Sequence, residues 1–403
     1  MVLIPPPDGI PQPNEIPPPD GILQPNEIPP PDGISKPNEI PSPDEAVIRQ
    51  NSSKDAFTFS YGALIMLAVH GKIYRNEWHI MKTIDLHCDT IMKFWMGKKL
   101  ADMQGTHINL PKLKAGQAGV QCFAIFIPTH GATKYLDGYT TADEYFDRAY
   151  KRFLEEMDEN SADIGQVFTV RDIEENLRRG RISALLTVED SVLLRGDLRV
   201  LDDYYRMGVR MMTLTWNYEN SLGYPHNSDP ALHALGLKPF GIEAVQRMNE
   251  LGIIVDVSHL SEGGFWDVAK NSRSPFIASH SCARSLCDVS RNLTDEQLRA
   301  VAQSGGVIGV NYYTEFVRPM KNEQDLHTSI EDVARHLVHM RNVAGIDALA
   351  LGSDYDGMES TMEWGDCGGT QQLLDGLSKE FTTSELEKIA SGNALRVFRE
   401  VLR

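Results

Sequence analysis

Eight short runs of mostly apolar residues recur along the chain, interleaved with segments of helical period. They are Thr83–Leu86, Gly119–Ile127, Ile182–Val188, Arg210–Thr215, Gly252–Val257, Pro275–Ser279, Val307–Asn311 and Ala348–Gly352. The helical period is expected over Ala142–Glu159, Leu198–Met207, Gly241–Leu251, Gly263–Asn271, Thr294–Ser304 and Ser329–Val343. Strands that are apolar throughout, without alternation, are buried on both faces, as in parallel sheets covered by helices. Eight of them predict an α/β fold, a (β/α)8 TIM-type barrel. The rival is an open doubly wound sheet, which usually carries a glycine-rich phosphate loop after its first strand. Here the first strand runs into LHCDT, with no glycine, so the barrel is favoured.

The barrel pattern does not extend to the beginning of the chain. Of 22 prolines in 403 residues, 15 lie within residues 1–43. Residues 5–40 are three copies of a 12-residue unit, PPPDGIPQPNEI, PPPDGILQPNEI and PPPDGISKPNEI. Such a unit has too little apolar surface to bury a core, and a disordered, polyproline-like extension is expected. The apolar run Ala63–Val69 has seven residues, far short of the roughly 20 needed to span a bilayer. The start is proline and acid, without a basic signal region, so neither export nor a membrane anchor is expected. Met81 opens MKTIDLHCDT, which reads as a start followed by a buried strand. The expected division is 1–80, a dispensable low-complexity extension, and 81–403, the barrel domain. The whole chain is acidic, with 56 Asp and Glu against 39 Lys and Arg. That balance argues against nucleic acid or an anionic membrane as a partner. The five cysteines, Cys88, Cys122, Cys282, Cys287 and Cys367, show no CxxC spacing. They read as reduced thiols, and the expected compartment is the cytoplasm.

In a barrel of this kind, active sites form at the C-terminal ends of the strands. The first strand ends in His87-Cys88-Asp89, whose outer two residues face the same way while Cys88 turns aside. The third ends in Glu189, with Asp190 beside it as an alternative helix cap. The fifth ends in Asp256-Val257-Ser258-His259, the sixth in Ala278-Ser279-His280, and the eighth in Gly352-Ser353-Asp354. Each alone is as readily a structural hydrogen-bonding residue. Together they place imidazoles and carboxylates around one mouth, which suits a two-metal site for borderline ions such as Zn²⁺. His336 and His339 fall on a helical segment and read as packing or surface residues.

The chain from Met81 onward resembles the membrane dipeptidase (renal dipeptidase) family of zinc peptidases, in the amidohydrolase superfamily. The matching segments are IDLHCDT, LLTVED, GIIVDVSHLSEGGFWDV, SPFIASHSCARSLC, SRNLTDEQ, GVIGVNYY and LGSDYDG, in family order. The resemblance implies two Zn²⁺ ions per chain. His87 and Asp89 would hold one, His259 and His280 the other, and Glu189 would bridge them. Asp354 would carry the proton, and Arg291 would bind the free carboxylate of a dipeptide. Tyr313, or its neighbour Tyr312, would line the substrate site. The implied reaction is hydrolysis of a small peptide by metal-activated hydroxide. Family members often dimerise, so a homodimer stays open. One departure concerns a histidine that many members carry after the fourth strand, which is thought to polarise the scissile carbonyl. Here the stretch reads TLTWNYEN, with Trp216 in that place and Asn217 or Tyr218 as substitutes. Another is the pair Asp190 and Ser191 where glycines commonly follow the bridging glutamate. The alternative functions are an amidohydrolase acting on N-acyl amino acids or lactams and, less favoured, a non-catalytic binding barrel.

Overall fold

The computed structural model describes residues 81–94, 97–129, 141–320, 322 and 324–402. The repeats, the apolar run Ala63–Val69 and the expected disorder of residues 1–80 lie outside the described residues. Besides a short ninth strand, Ile164–Gln166, that pairs with one of them, eight strands form the central sheet. They are β1 (Thr83–Asp85), β2 (Ala118–Phe126), β3 (Ile182–Glu189), β4 (Val209–Thr213), β5 (Ile254–Asp256), β6 (Ala278–Ser281), β7 (Ile308–Val310) and β8 (Leu349–Leu351). The ladder runs β5-β4-β3-β2-β1-β8-β7-β6, every pairing parallel. It closes on itself between β5 and β6. There the Val257 N–H donates to the Ile277 carbonyl at 2.8 Å and the Ile277 N–H donates to the Val255 carbonyl at 2.9 Å. The fold is the eight-stranded α/β barrel that the apolar runs predict.

One buried apolar cluster draws a residue from each strand or its first approach: Ile84, Val120, Leu185, Met211, Ile254, Ile277, Val307 and Ala350. Only the inside of a closed barrel lets all eight meet. The same cluster takes in Val397, Phe398 and Val401 from the helix Asn393–Val401. That helix therefore seals the end at which the strands begin. Each fully buried side chain of this size contributes about 1.5–3 kcal/mol. A larger cluster, including Phe123, Ile125, Val188, Val255 and Leu351, packs the outer faces of the strands against the helices.

The helices start where the side chains predict. Thr141, Thr294 and Ser329 accept the backbone N–H of Glu144, Gln297 and Asp332, capping Ala142–Glu159, Asp295–Gln303 and Ile330–Ala344. Each cap satisfies a donor that the first helical turn leaves free. Gly252, at φ +81°, ends the helix Pro239–Leu251 and turns the chain into β5, a left-handed conformation that glycine adopts without strain.

Candidate metal centre

The strand-end residues converge. The His87 Nε2 atom lies 3.5 Å from Asp89 Oδ2, 3.6 Å from Glu189 Oε2 and 3.9 Å from Asp354 Oδ1. On the other side of Glu189, its Oε1 lies 3.0 Å from His259 Nε2 and 3.7 Å from His280 Nε2. One carboxylate thus faces His87 with one oxygen and the His259–His280 pair with the other. The His87 and His280 rings stack with centroids 3.9 Å apart. Cys88 is buried in the outer apolar cluster, apart from this group.

The hydrogen-bonding state of the imidazoles shows what the cluster needs. His259 Nδ1 lies 3.1 Å from Asn217 Oδ1, an amide oxygen that only accepts, so Nδ1 carries the proton. Ser279 Oγ donates its single proton to Asp256 Oδ2 and therefore accepts from His280 Nδ1, 2.7 Å away. Both Nε2 atoms are then lone pairs, and they face each other at 3.0 Å. His87 Nε2 and Asp89 Oδ1 are buried without a hydrogen-bond partner among the described residues. Opposed lone pairs and buried polar atoms without partners are costly unless a cation lies among them. The residues therefore fit a divalent metal centre, with nitrogen and oxygen donors of the kind zinc takes.

The electrostatics agree. Burial alone would lower the His87 pKa, but Glu189 and Asp89 override it and hold it well above the imidazole range, so that with no ion present the ring itself takes the positive charge the carboxylates call for. His259 and His280 are held well below that range by burial and by the nearby Arg291 charge. Burial, together with the Asp89 charge, raises Glu189. Asp354 is raised by burial as well, with His87 pulling back and Asp89 adding to the rise. Strain concentrates here too. Asp190, His259, Asp354 and Asp356 adopt positive φ values of 62–70°, a conformation that costs non-glycine residues energy and collects at functional sites. Gly357 completes the cradle, since a Cβ there would overlap Asp89 Oδ2.

The residues expected on the substrate side also reach the mouth. Arg291 is 4% exposed, so it is not a surface salt bridge. Its guanidinium donates to Ser281 Oγ at 2.9 Å and to the His280 carbonyl at 3.1 Å, while its Nε has no partner among the described residues. Burial lowers its pKa, and Asp354 and Glu189 are the charges that oppose this. Of the two tyrosines, Tyr312 is buried edge-on against Tyr355 and Trp364. Tyr313 is half-buried against Phe316; burial pushes its pKa up to about 12, with Glu315 adding to the rise and Asp354 contributing least. Trp216 packs edge-on to Phe126 at 4.8 Å and lies 6.3 Å from the His259 ring.

A model of the membrane dipeptidase family, peptidase family M19, matches residues 77–403. The chain belongs to the membrane dipeptidase family. It is accordingly a metallopeptidase of the dipeptidase type. The chain is 30% identical over 341 residues to the dipeptidase tcpJ of Claviceps purpurea, covering 81% of this chain and 76% of that one. It is 36% identical over 235 residues to an uncharacterized Klebsiella pneumoniae protein, covering 56% of this chain and 85% of that one. Among solved structures, a metallo peptidase from Rhodobacter sphaeroides, liganded with a phosphinate mimic of the dipeptide L-Ala-D-Ala, superposes with a TM-score of 0.71 at 24% identity. That match covers 80% of this chain and 99% of the other. The probable dipeptidase PvdM from Pseudomonas aeruginosa superposes with a TM-score of 0.72 at 22% identity, over 80% and 96% of the two chains. Among the described residues no helix is long and apolar enough to cross a membrane.

In this member of the membrane dipeptidase family, two further residues, His226 and Asn311, reach the mouth. His226 places Nε2 3.0 Å from Asn217 Oδ1 and Nδ1 3.0 Å from Ser290 Oγ, so Asn217 Oδ1 joins two imidazoles. Asn311 donates its side-chain N–H to Asp354 Oδ2 at 3.0 Å. His226 lies on a loop, where periodicity carries no signal; Asn311 closes an apolar run and was available to the same reasoning as Asp354. Asp190 does stand at the N-cap position of the short helical turn Ser191–Leu194. It is buried, accepts from Asn220 Nδ2 at 2.8 Å, and no side chain caps the short helical turn that follows. His336 and His339 are structural, as expected. His336 bridges the Ala283 N–H and the Val317 carbonyl, and His339 pairs with Asp295.

Proposed function

We propose that this chain hydrolyses the peptide bond of dipeptides at a centre of two Zn²⁺ ions. In this reading His87 and Asp89 hold one ion, His259 and His280 hold the other, and Glu189 lies between them. The observation that carries it is the pair of Nε2 lone pairs of His259 and His280, 3.0 Å apart and both against Glu189 Oε1. A bound pair of such ions supplies Lewis acidity, which acidifies water and polarises a carbonyl.

The chain's own residues do the rest. Arg291 receives the free C-terminal carboxylate through a charge-assisted contact, which fixes the peptide bond over the centre. Its anchors, Ser281 and the His280 carbonyl, tie that clamp to the strand that carries a metal ligand. Asp354 accepts a proton from water as the carbonyl carbon is attacked. It returns that proton to the departing amine as the C–N bond breaks. Asn311 holds Asp354 Oδ2, which leaves Oδ1 towards His87 as the proton-carrying oxygen. Trp216 and Tyr313 wall the substrate. The hydrolase unit is residues 81–403, a division supported by the family match beginning at residue 77.

The test is a panel of dipeptides of both stereochemistries, offered to purified protein loaded with zinc. The expected outcome is turnover of dipeptides, with about two ions per chain by metal analysis. Turnover of N-acyl amino acids or lactams without dipeptides would establish the alternative amidohydrolase reading. Full activity after metal removal would overturn the centre itself.

A further inference from the structure

Two buried aspartates, neither a metal ligand in the proposed centre, make the same unusual contact. Asp256 Oδ1 accepts the backbone N–H groups of Ser258 at 3.0 Å and Ser279 at 2.9 Å. Its Oδ2 accepts the Ser279 hydroxyl. Asp85 repeats the pattern on the opposite side of the barrel, four strands along the ladder from Asp256. Its Oδ1 accepts the Ser353 N–H at 2.9 Å and its Oδ2 accepts the Ser353 hydroxyl at 2.6 Å. In each clamp the aspartate grips both polar groups of a serine on the neighbouring strand end. In each, the residue after that serine belongs to the site: His280 in one, Asp354 in the other.

The clamps differ in what the serine does next. Ser353 Oγ accepts the backbone N–H of Tyr355 at 3.1 Å, so the Asp85 clamp fixes main chain around Asp354. Ser279 Oγ instead lies 2.7 Å from His280 Nδ1, so the Asp256 clamp reaches the imidazole itself. We infer that Asp256 and Ser279 are positioning residues that set the His280 tautomer, presenting Nε2 as a lone pair to the ion. The inference rests on the metal reading above.

The chemistry leaves little freedom. A carboxylate only accepts, so the hydroxyl proton of Ser279 points to Asp256, and Ser279 takes its closest other hydrogen bond from His280 Nδ1–H at 2.7 Å, with Ser258 Oγ farther off at 3.4 Å. Replacing Asp256 by asparagine reverses the chain. The two backbone N–H groups hold the amide oxygen at the Oδ1 position, so the amide NH₂ faces Ser279 Oγ. The hydroxyl proton then turns to His280 Nδ1, nearer than Ser258 Oγ, and the imidazole proton moves to Nε2, the atom that must face the ion. Partners of metal-bound histidines commonly act in this way, and losing one costs 10–100-fold in affinity.

The test uses full-length protein with ¹⁵N-labelled histidine. Zinc titration against a chromogenic chelator is read beside the two-bond proton–nitrogen spectrum of the metal-free form. If the parent protein binds no zinc pair, the metal reading itself fails. If it binds the pair, the expected result for Asp256→Asn is a roughly 10–100-fold loss of affinity for one ion and a His280 signal moved to the Nε2–H form. Asp85→Asn is the control and leaves the His280 tautomer as in the parent. Equal shifts in both variants would mean general loosening of the barrel and would overturn the inference, as would parental affinity and tautomer in Asp256→Asn. Should that variant not fold, Ser279→Ala carries the same expected affinity loss, and Ser279→Thr, which keeps the hydroxyl, restores parental binding. Equal affinity in the alanine and parent proteins would then be the overturning result.

Discussion

Where the strands begin, Ile84, Ile277 and Val307 meet Val397, Phe398 and Val401 in an apolar plug. Where they end, Asp89, His259, His280 and Asp354 crowd round His87 and Glu189. The first end is filled by apolar side chains, though Gln117, just before β2, has a positive φ there. The second gathers four non-glycine residues at positive φ and two buried polar atoms without partners. Stability is thus built at one end, and the potential for chemistry is stored at the other at some cost in stability. Substitutions at the two ends should therefore separate activity from folding.

The sharpest separation is expected at Asp354. Asp354→Asn should lower kcat by about 10²–10⁴-fold, while zinc content and the denaturation midpoint stay close to parental. Normal turnover would place the proton elsewhere. The opposite behaviour is expected of Phe398→Ala. It should cost about 3–5 kcal/mol of stability in urea unfolding, with kcat and KM at a permissive temperature unchanged. A kinetic defect in that variant would show that the two ends are coupled.

These expectations rest on unequal legibility in the sequence. The eight strands were readable because strands covered on both faces must be apolar along their length. The helix Asn393–Val401, which carries the plug, was missed because no strand follows it to mark its end. The strand Ile164–Gln166 escaped for a different reason: it is three residues long and pairs only with the first residues of β3, Ile182–Ala184. At the mouth, a His or acid immediately after an apolar run was visible. Asp85 and Asp256 were visible as lone acids within apolar runs, but their serine partners are set by strand pairing. His226 reaches Asn217 through loop geometry that no local pattern encodes.

A smaller effect should sharpen the substrate side. Arg291→Ala should lower kcat/KM roughly 10–100-fold for dipeptides, as expected for losing a charged hydrogen bond. Amides lacking a terminal carboxylate should be spared. An equal loss on both substrate types would break the clamp assignment.

The smallest effect concerns His336, remote from both ends. Burial pushes its pKa down to about 4, although the Val317 carbonyl favours the protonated ring. The unfolded chain then binds this proton first as pH falls. Stability from this group is full above pH 6.5 and is lost towards pH 4, at about 1.4 kcal/mol per unit. His336→Gln should flatten that acid limb in urea unfolding measured across pH. An unchanged slope would assign the limb to other groups.

Closure of the barrel has a consequence for how the chain is made. β1 finds one of its two neighbours only when β8 arrives, and the contact between Asp85 and Ser353 spans 268 positions. At translation speeds of about 5–20 residues per second, the ribosome takes on the order of 10–50 seconds to cover that stretch. Through that interval the nascent sheet carries an unpaired parallel edge, the kind that recruits other chains. The plug from Asn393–Val401 comes later still. Yield in cells should therefore depend on what shields that growing edge as much as on the stability of the finished barrel.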